Sequence, residues 1–293
     1  MGTLHVVATP IGNLEDVTLR TLRVLREADL VLAEDTRHTR GLLTRHGIAA
    51  KLVSLHAHNE AARCARVLEV LGAGGTVALC SDAGTPLLSD PGARIVAAAV
   101  AAGHFASPVP GPTAIAAALC VAALDVASFS FAGFLPRRAG ERRARLAELA
   151  PRPDALVFFE SPRRVGATLR ELAAALGDRR ACVARELTKL HEEVARGTLS
   201  ELAERFAEGV RGEVTLVVEG AKRGEEASSE AAGAASELDH EIRERLARGD
   251  AVREIAAALA TARGLPRRRV YARALALRDT PAPSPRAPSA QGD

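Results

Sequence analysis

A strand, a long turn-rich loop and a helix follow one another between residues 76 and 102, and this stretch restricts the possible folds most. Thr76 to Cys80 is an apolar run that predicts a buried strand, and Ala93 to Ala102 has the pattern of a helix. The loop between them holds two Gly, two Pro, two Asp, two Ser and one Thr, more turn residues than a simple connection needs. Such a loop brings backbone N–H groups close to a ligand. An ordinary strand–helix turn is the alternative.

Turn-rich loops of the same kind recur at Pro10 to Leu14 and at Pro110 to Thr113, so three of them can converge on one ligand. Strands alternate with helices through residues 1–124, which predicts an α/β domain with a largely parallel sheet. The other strands predicted in this domain are Leu4 to Thr9, Leu30 to Ala33, Leu52 to Leu55 and a short one near Phe105.

A second α/β domain is predicted over residues 125–220. Its strands are Phe129 to Phe134, Ala155 to Phe159, Ala181 to Ala184 and Glu213 to Glu219. Two closely joined α/β domains favour a ligand in the cleft between them. Residues 221–237 are small and polar and predict a linker. Residues 238–279 predict a small helical appendage that fits a helix-turn-helix, and the Pro-rich residues 280–293 predict a disordered tail.

Several classes of protein can be set aside. No window approaches the ~20 apolar residues of a membrane span, and no basic-then-apolar leader precedes the first strand. The four Cys are scattered, which suits a reducing cytosol. We therefore expect a cytoplasmic protein without a membrane partner. The dinucleotide, P-loop and nucleophile-elbow motifs do not occur. His56 and His58 are too isolated to indicate a metal, so no metal site is predicted.

The charge is unevenly distributed. Residues 137–145 hold five Arg against one Glu, and residues 238–279 hold ten Arg against six acidic residues. Clusters of this kind suit a phosphate backbone. A solvated helix face in an Arg-rich protein is an equally weighted alternative.

Five motifs in order carry a resemblance to a known family. They are Thr9-Pro10-Ile11-Gly12-Asn13-Leu14, Ala33-Glu34-Asp35-Thr36-Arg37, Ser81-Asp82-Ala83-Gly84-Thr85-Pro86, Pro110-Gly111-Pro112 and Ala184-Arg185-Glu186-Leu187-Thr188-Lys189. Together they resemble the ribosomal RNA small subunit methyltransferase I family, over roughly residues 3–279. The resemblance implies the tetrapyrrole-methylase fold and methyl transfer from S-adenosylmethionine to a cytidine ribose 2′-oxygen in the decoding region of 16S rRNA, presented within the 30S subunit. It also implies a homodimer.

The resemblance further implies which residues hold the methyl donor. These are Pro10, Asp82, Ala83, Gly84, Thr85, Thr113 and Ala114 from the first domain, and Phe159, Leu187, Val214 and Thr215 from the second. Small residues suit a neutral adenosine and a zwitterionic methionine, because both need close backbone approach. Gly84-Thr85-Pro86 stands where many tetrapyrrole methylases have Gly-Asp-Pro, which favours the RNA branch of the fold.

The catalytic candidates are Glu34, Asp35, Glu186 and Lys189. Transfer to a ribose hydroxyl needs in-line positioning and a way to remove the hydroxyl proton. Only three of the 39 basic residues are Lys, so a Lys inside a motif hints that its titratable amine matters. The alternatives are that Lys189 contacts a phosphate or a carboxylate, that Asp35 pairs with Arg37 or Arg40, and that positioning alone supplies most of the rate.

The expected RNA-binding residues come from the two basic clusters: Arg137, Arg138, Arg142, Arg143, Arg267, Arg268 and Arg269. Two other functions stay open at this point. A tetrapyrrole C-methyltransferase of the same fold would not need the basic helix or the appendage. A nucleic-acid-binding regulator that used residues 238–279 would leave the three elaborate loops unexplained.

Overall fold

The computed structural model describes residues 1–56, 58–222, 238–263 and 267–278. Residues 1–221 form one compact unit, and a second unit begins at Lys222. Residues 223–237 of the predicted linker, residue 279 and the predicted disordered tail lie outside the described residues.

The first half of the larger unit is built on a parallel sheet of five strands. The strands are β1 (Thr3–Val7), β2 (Leu30–Ala33), β3 (Leu52–Ser54), β4 (Thr76–Cys80) and β5 (Phe105–Val109). Their order is β3-β2-β4-β1-β5, and every neighbouring pair is parallel. The strand–helix alternation in the sequence predicted this arrangement, and the prediction is confirmed. A parallel sheet of this kind places the loops that follow its strands at one edge.

Helices cover both faces of this sheet. The helices that follow its strands are α1 (Leu19–Glu27), α2 (Thr36–Arg45), α3 (Glu60–Gly72), α4 (Ala93–Ala101) and α5 (Ala114–Val121). Leu32 of β2 packs with Leu71 and Ile95 of α3 and α4 in one apolar cluster. Its neighbour Val31 belongs to a second cluster with Leu25 of α1. All four residues of β2 are buried, as expected for a strand covered on both faces.

The second half has a mixed sheet, also of five strands. These are β6 (Phe129–Phe134), β7 (Ala155–Glu160), β8 (Arg180–Arg185), β9 (Glu193–Thr198) and β10 (Val214–Val218), in the order β6-β7-β10-β8-β9. Only β6 and β7 are parallel, and the other pairs are antiparallel. Three helices belong to this half: α6 (Ala139–Leu149), α7 (Val165–Leu176) and α8 (Leu199–Arg205).

The two halves are joined through α5. One face of the second sheet packs against α6, α7 and α8. On its other face, Val157 and Val217 form an apolar cluster with Ile115 and Leu119 of α5. The first half therefore supplies part of the core of the second, which fixes the two sets of loops relative to each other.

Two elements of the second half were not predicted from the sequence. Strand β9 has a single buried residue, Ala195, so its period-2 signal is weak. Helix α8 is only seven residues long, but it begins with a capping box between Thr198 and Glu201. That Thr-x-x-Glu spacing is a signal for a helix start that the sequence prediction missed.

The smaller unit contains the helices that the sequence predicted. They are α9 over residues 238–247, α10 (Val252–Arg263) and α11 (Arg267–Arg278). Ile242, Ile255, Leu259 and Val270 form its own apolar core. Within the described parts of the chain, no helix has the length and apolar character needed to cross a membrane.

Candidate functional site

The three turn-rich loops meet at the carboxyl edge of the parallel sheet. The Thr9 N–H donates to the Gly84 carbonyl oxygen at 2.9 Å, and the Gly84 N–H donates back to the Thr9 carbonyl oxygen at 3.0 Å. The Thr85 hydroxyl donates to the Pro112 carbonyl oxygen at 3.3 Å. The loop after β4 is thus bonded to the loops after β1 and β5, so the predicted convergence of the loops is confirmed.

Gly84 occupies the centre of this junction. Its φ of +76° lies in the left-handed region, which favours glycine. A Cβ at this position would lie 3.2 Å from the Ile11 Cγ2 atom and 3.6 Å from the Pro112 carbonyl oxygen. The absence of a side chain at residue 84 therefore allows the loops to approach one another closely.

A loop from the second half reaches the same edge. The Asn13 N–H donates to the Thr188 hydroxyl at 3.0 Å. A Cβ on Gly12 would lie 2.5 Å from the Lys189 Cγ atom, so only glycine permits this approach. Glu186 and Thr188 adopt positive φ angles of 50° and 68°, which are unusual for residues with a Cβ. The strained loop of residues 186–190 is held against the first-half loops.

A cavity of about 410 Å³ lies where the two halves face each other, and we call it the phenylalanine cavity after Phe134 and Phe159 in its wall. Nine of the eleven residues predicted to hold the methyl donor line it: Asp82, Ala83, Gly84, Thr85, Thr113, Ala114, Phe159, Val214 and Thr215. Residues as far apart as 82 and 215 therefore line one cavity, as the resemblance to the family implied.

The other two predicted donor residues lie elsewhere. Pro10 lines a neighbouring cavity, and Leu187 packs in the apolar cluster around α5. The sequence prediction in turn missed ten of the residues that line the phenylalanine cavity, among them Phe134, Asp90 and Glu160. Phe134 ends β6 and Glu160 ends β7, so the signal that would have found them is their position at the ends of two parallel strands.

Carboxyl groups give the phenylalanine cavity a negative character. Burial, with smaller contributions from the nearby Glu34 and Asp82, raises the pKa of Asp90 to about 6. Partial desolvation, with a contribution from Asp82, raises the pKa of the otherwise exposed Glu34. The Asp82 carboxylate accepts a hydrogen bond of 2.7 Å from the Asp35 N–H. Crowded carboxylates beside an apolar wall fit a ligand that combines a flat apolar group with positive charge.

S-adenosylmethionine is such a ligand. Its adenine is flat, and both its sulfonium and its ammonium are cationic. The aromatic wall contains Phe159, which lies 5.7 Å from the Phe134 ring, measured between centroids. Gly84 and Thr85 offer close backbone approach on the opposite loops, so the residues present fit the donor that the motifs predict.

A second cavity, of about 440 Å³, adjoins the first, and we call it the lysine cavity because Lys189 lines it. It is bordered on the other side by α2, with Arg37, His38 and Thr39. The two cavities share four wall residues, which are Ile11, Asp82, Ala83 and Glu213. The two cavities therefore meet at these four residues.

Lys189 is held by two carboxylates. Its Nζ atom donates to the Glu186 Oε1 atom at 2.8 Å and to the Glu213 Oε2 atom at 2.9 Å. Partial burial lowers the pKa of Lys189, but the hydrogen bonds to the two carboxylates outweigh it and raise the pKa above its usual value. The hydrogen bond from Lys189 lowers the pKa of Glu186. Lys189 is therefore a cation at neutral pH, which argues against a free amine acting as a base.

Asp35 caps helix α2 and pairs with Arg37, which was one of the alternatives drawn from the sequence. Its carboxylate accepts from the Arg37 N–H at 2.8 Å and from the Arg37 Nη2 atom at 2.8 Å. These hydrogen bonds lower the pKa of Asp35 to about 2. Neither Glu34 nor Asp35 is among the residues that line the two cavities.

The arginines of the first basic cluster differ in their surroundings. Arg142 is only 15% exposed, and its guanidinium pairs with Glu171 and donates to the Arg137 carbonyl oxygen. Arg138 pairs with Glu141 at the surface. Arg137 and Arg143 are exposed and form no ion pair within the described part of the chain. Arg142 is therefore occupied by contacts within the protein, whereas the guanidinium groups of Arg137 and Arg143 are available to a partner.

The second basic cluster lies at the start of α11. Arg267 and Arg268 are exposed in its first turn. Arg269 follows them in the helix, and its side chain lies outside what the structure describes.

Comparison with known proteins agrees with this geometry. The chain matches the family model described as tetrapyrrole (corrin/porphyrin) methylases over residues 3–203. It is 44% identical to ribosomal RNA small subunit methyltransferase I of Halalkalibacterium halodurans over 92% of this chain and 93% of that protein. The protein of the same name from Xylella fastidiosa is 49% identical over 75% of this chain and 82% of its own length.

The same arrangement occurs among solved structures. Uroporphyrin-III-C-methyltransferase from Thermus thermophilus is 25% identical to this chain and superposes with a TM-score of 0.56. The match covers 75% of this chain and 94% of that chain.

Proposed function

The chain belongs to the tetrapyrrole (corrin/porphyrin) methylase family and, within it, to the ribosomal RNA small subunit methyltransferase I family, and on that premise we propose that it methylates the 2′-oxygen of a cytidine ribose in the decoding region of 16S rRNA. The protein is an S-adenosylmethionine-dependent rRNA methyltransferase. Identities of 44–49% to proteins named for rRNA, against 25% to a porphyrin methylase, favour the RNA substrate over a tetrapyrrole.

One observation carries the proposal, namely the wall shared by the phenylalanine and lysine cavities. Methyl transfer requires the donor and the acceptor oxygen to be held in line at short range. Two adjacent cavities, one neutral to acidic with an aromatic wall and one bordered by a basic helix, offer separate places for donor and nucleoside. The close approach of Lys189 to Gly12 brings the second-half loop next to the first-half loops at this point.

Within this arrangement the chain's residues have distinct roles. When bound, S-adenosylmethionine supplies a methyl group on a positively charged sulfur. Gly84 and Thr85 would hold it by close backbone approach, and Phe134 and Phe159 would exclude water from it. The carboxylate of Asp82 at the shared wall would complement its positive charge.

Methylation of a ribose hydroxyl also releases the hydroxyl proton, and a group at the shared wall must accept it. We assign this role to the Oε1 atom of Glu213, because Glu213 lines both cavities and Lys189 bonds to its other oxygen, Oε2. Lys189, protonated and 2.9 Å from Glu213, would orient that carboxylate. This role for Glu213 replaces Lys189 as the candidate base, and Glu186 positions Lys189.

The partners follow from the substrate. We propose that the target cytidine is presented within the 30S subunit, that the enzyme works as a homodimer, and that it acts in the cytoplasm, where ribosomes are assembled. Exposed Arg137 and Arg143, with Arg267 and Arg268 of the smaller unit, are the proposed phosphate contacts.

The test uses S-adenosylmethionine with a radiolabelled methyl group on 30S subunits, free 16S rRNA and uroporphyrinogen III. We expect label in 16S rRNA at one cytidine, in a dinucleotide that resists alkaline hydrolysis because its 2′-oxygen is blocked. Label in a base, or in the tetrapyrrole alone, would overturn the proposal.

A further inference from the structure

A third depression continues from the lysine cavity, on the side away from the phenylalanine cavity's aromatic wall residues. It has a volume of about 730 Å³ and shares Gly12, Leu14 and Lys189 with the lysine cavity. We call it the leucine groove, because Leu14, Leu19 and Leu190 all line it. The phenylalanine cavity, the lysine cavity and the leucine groove therefore form a continuous series across the first-half loops.

The leucines of the groove are unusually exposed. Leu190 is 92% exposed and Leu19 is 87% exposed, whereas Leu14 is 40% exposed. Leu190 ends the strained loop of residues 186–190, and Leu19 is the first residue of helix α1. Large apolar side chains gathered on one exposed surface mark an interaction site more often than a solvated face.

The charge beside the groove indicates the kind of partner. Residues 36–46, which are α2 and the residue after it, hold three Arg and two His and no acidic residue. Arg45 and His46 line the groove itself, together with a single carboxylate, that of Glu15. Arg45 is exposed and forms no ion pair within the described residues. Apolar side chains beside a basic helix match a nucleotide, whose base has an apolar face and whose phosphate is negative.

We propose that the leucine groove binds the RNA nucleotide next to the methylated cytidine, with its base against Leu19 and Leu190 and its phosphate near Arg45. The inference rests on the proposed function, because it places the target nucleoside in the lysine cavity. A nucleotide drawn out of a folded RNA loses its stacking partners, and apolar side chains commonly replace them. None of the residues that line the groove is a Phe, Tyr or Trp, so the leucines would provide the apolar contact to the base.

Two variants test the two halves of the proposal. Leu19→Ala with Leu190→Ala removes the apolar contact, and Arg45→Ala removes the phosphate contact. Val100→Ala and Arg66→Ala are matched controls, since Val100 is 56% exposed on α4 and Arg66 is exposed on α3. All of these substitutions are at exposed positions, so each protein is expected to fold.

The readout is binding to deproteinised 16S rRNA, measured by filter retention in the presence of S-adenosylhomocysteine over a range of salt concentrations. The double Leu variant should bind roughly tenfold more weakly. Arg45→Ala should lower the slope of log K against log salt by about 1. Calorimetric affinity for S-adenosylhomocysteine should stay as in the parent, and the controls should change RNA binding by less than about twofold.

Failure of this inference is distinguishable from failure of the proposed function. If the parent methylates 30S subunits but the groove variants bind 16S rRNA like the controls, the groove inference is overturned and the function stands. If light scattering shows that the double Leu variant halves the mass of the protein while RNA binding is unchanged, the groove is an interface between copies of the chain. If the parent binds 16S rRNA but methylates none, the proposed function fails, whereas weaker binding by the variants still supports RNA binding in the groove.

Discussion

The site has one wall from the loops of the parallel sheet and another from the loops of the mixed sheet, and different interactions hold the two in place. On the first wall the loops are joined by hydrogen bonds of main-chain groups, such as the reciprocal pair between Thr9 and Gly84. On the second wall the Lys189 ammonium lies between the carboxylates of Glu186 and Glu213. The first wall is bonded through the backbone and the second through charged side chains.

This difference predicts different sensitivities. Backbone hydrogen bonds do not titrate, so the first wall should respond mainly to steric changes that push its loops apart. Charged contacts depend on protonation state, so the second wall should respond to the removal of a charge. Substitutions that break one wall at a time should therefore have effects of different kinds and sizes.

The largest effect is expected from Gly84→Val. The side chain would require a left-handed backbone at φ +76° and would press on Ile11 and Pro112, so the three loops must separate. We expect affinity for S-adenosylhomocysteine to fall by at least about 100-fold, measured by calorimetry, with a stability loss of about 1–3 kcal/mol. Gly84→Ala should show the same change to a smaller extent.

Gly140→Val is the matched control for this change. Gly140 lies on α6 without a positive φ, and no neighbouring group comes within 4 Å of the position that a Cβ would occupy. The control should leave donor affinity unaltered. A folded Gly84→Val protein that binds the donor like the parent would show that the loop junction does not shape the cavity.

The second wall is tested by Glu213→Gln. If the carboxylate accepts the ribose proton, kcat on 30S subunits should fall roughly 100-fold while donor affinity is retained. Glu208→Gln, at an exposed position, is the control. Unchanged kcat in Glu213→Gln would leave positioning alone as the source of the rate.

The smallest effect is expected at Asp90, which lies in the wall of the phenylalanine cavity. Its pKa is raised from 3.8 to about 6, so the folded protein binds its proton more tightly than the unfolded chain does. The stability that this provides is present below about pH 4 and is lost as the pH rises through 6. Asp90→Asn should therefore stabilise the protein at pH 7.5, by about 1 kcal/mol or about 3 °C in Tm once solvent screening is allowed for.

The gain in Tm should vanish at pH 4, where Asp90 is protonated in the parent. At pH 7.5 the donor affinity of Asp90→Asn should fall severalfold, because the substitution removes a negative charge that complements the cationic donor. Asp178→Asn should change Tm at pH 7.5 in the opposite direction and lower it. The reason is that the Ser200 N–H donates to the Asp178 carboxylate and lowers its pKa. If Asp90→Asn lowers Tm at pH 7.5, burial does not destabilise the Asp90 carboxylate.

Much of the architecture was determined by local sequence. Apolar runs that end in Gly and Pro predicted the strands and the three loops, because turn chemistry and burial act over a few residues. The family resemblance that the motifs carry named nine residues that line one cavity. Strand β9 was missed because a short element with weak periodicity gives little signal within a few residues.

Only the tertiary structure decided which side chains face one another. Arg142 and Arg143 are neighbours in one cluster, yet the fold buries Arg142 against Glu171 and leaves Arg143 exposed. Glu213 reaches the wall shared with Asp82 although 131 positions separate them (213 − 82). Such contacts depend on the packing of α5 against the second sheet, and no pattern within a few residues of either partner encodes that distance.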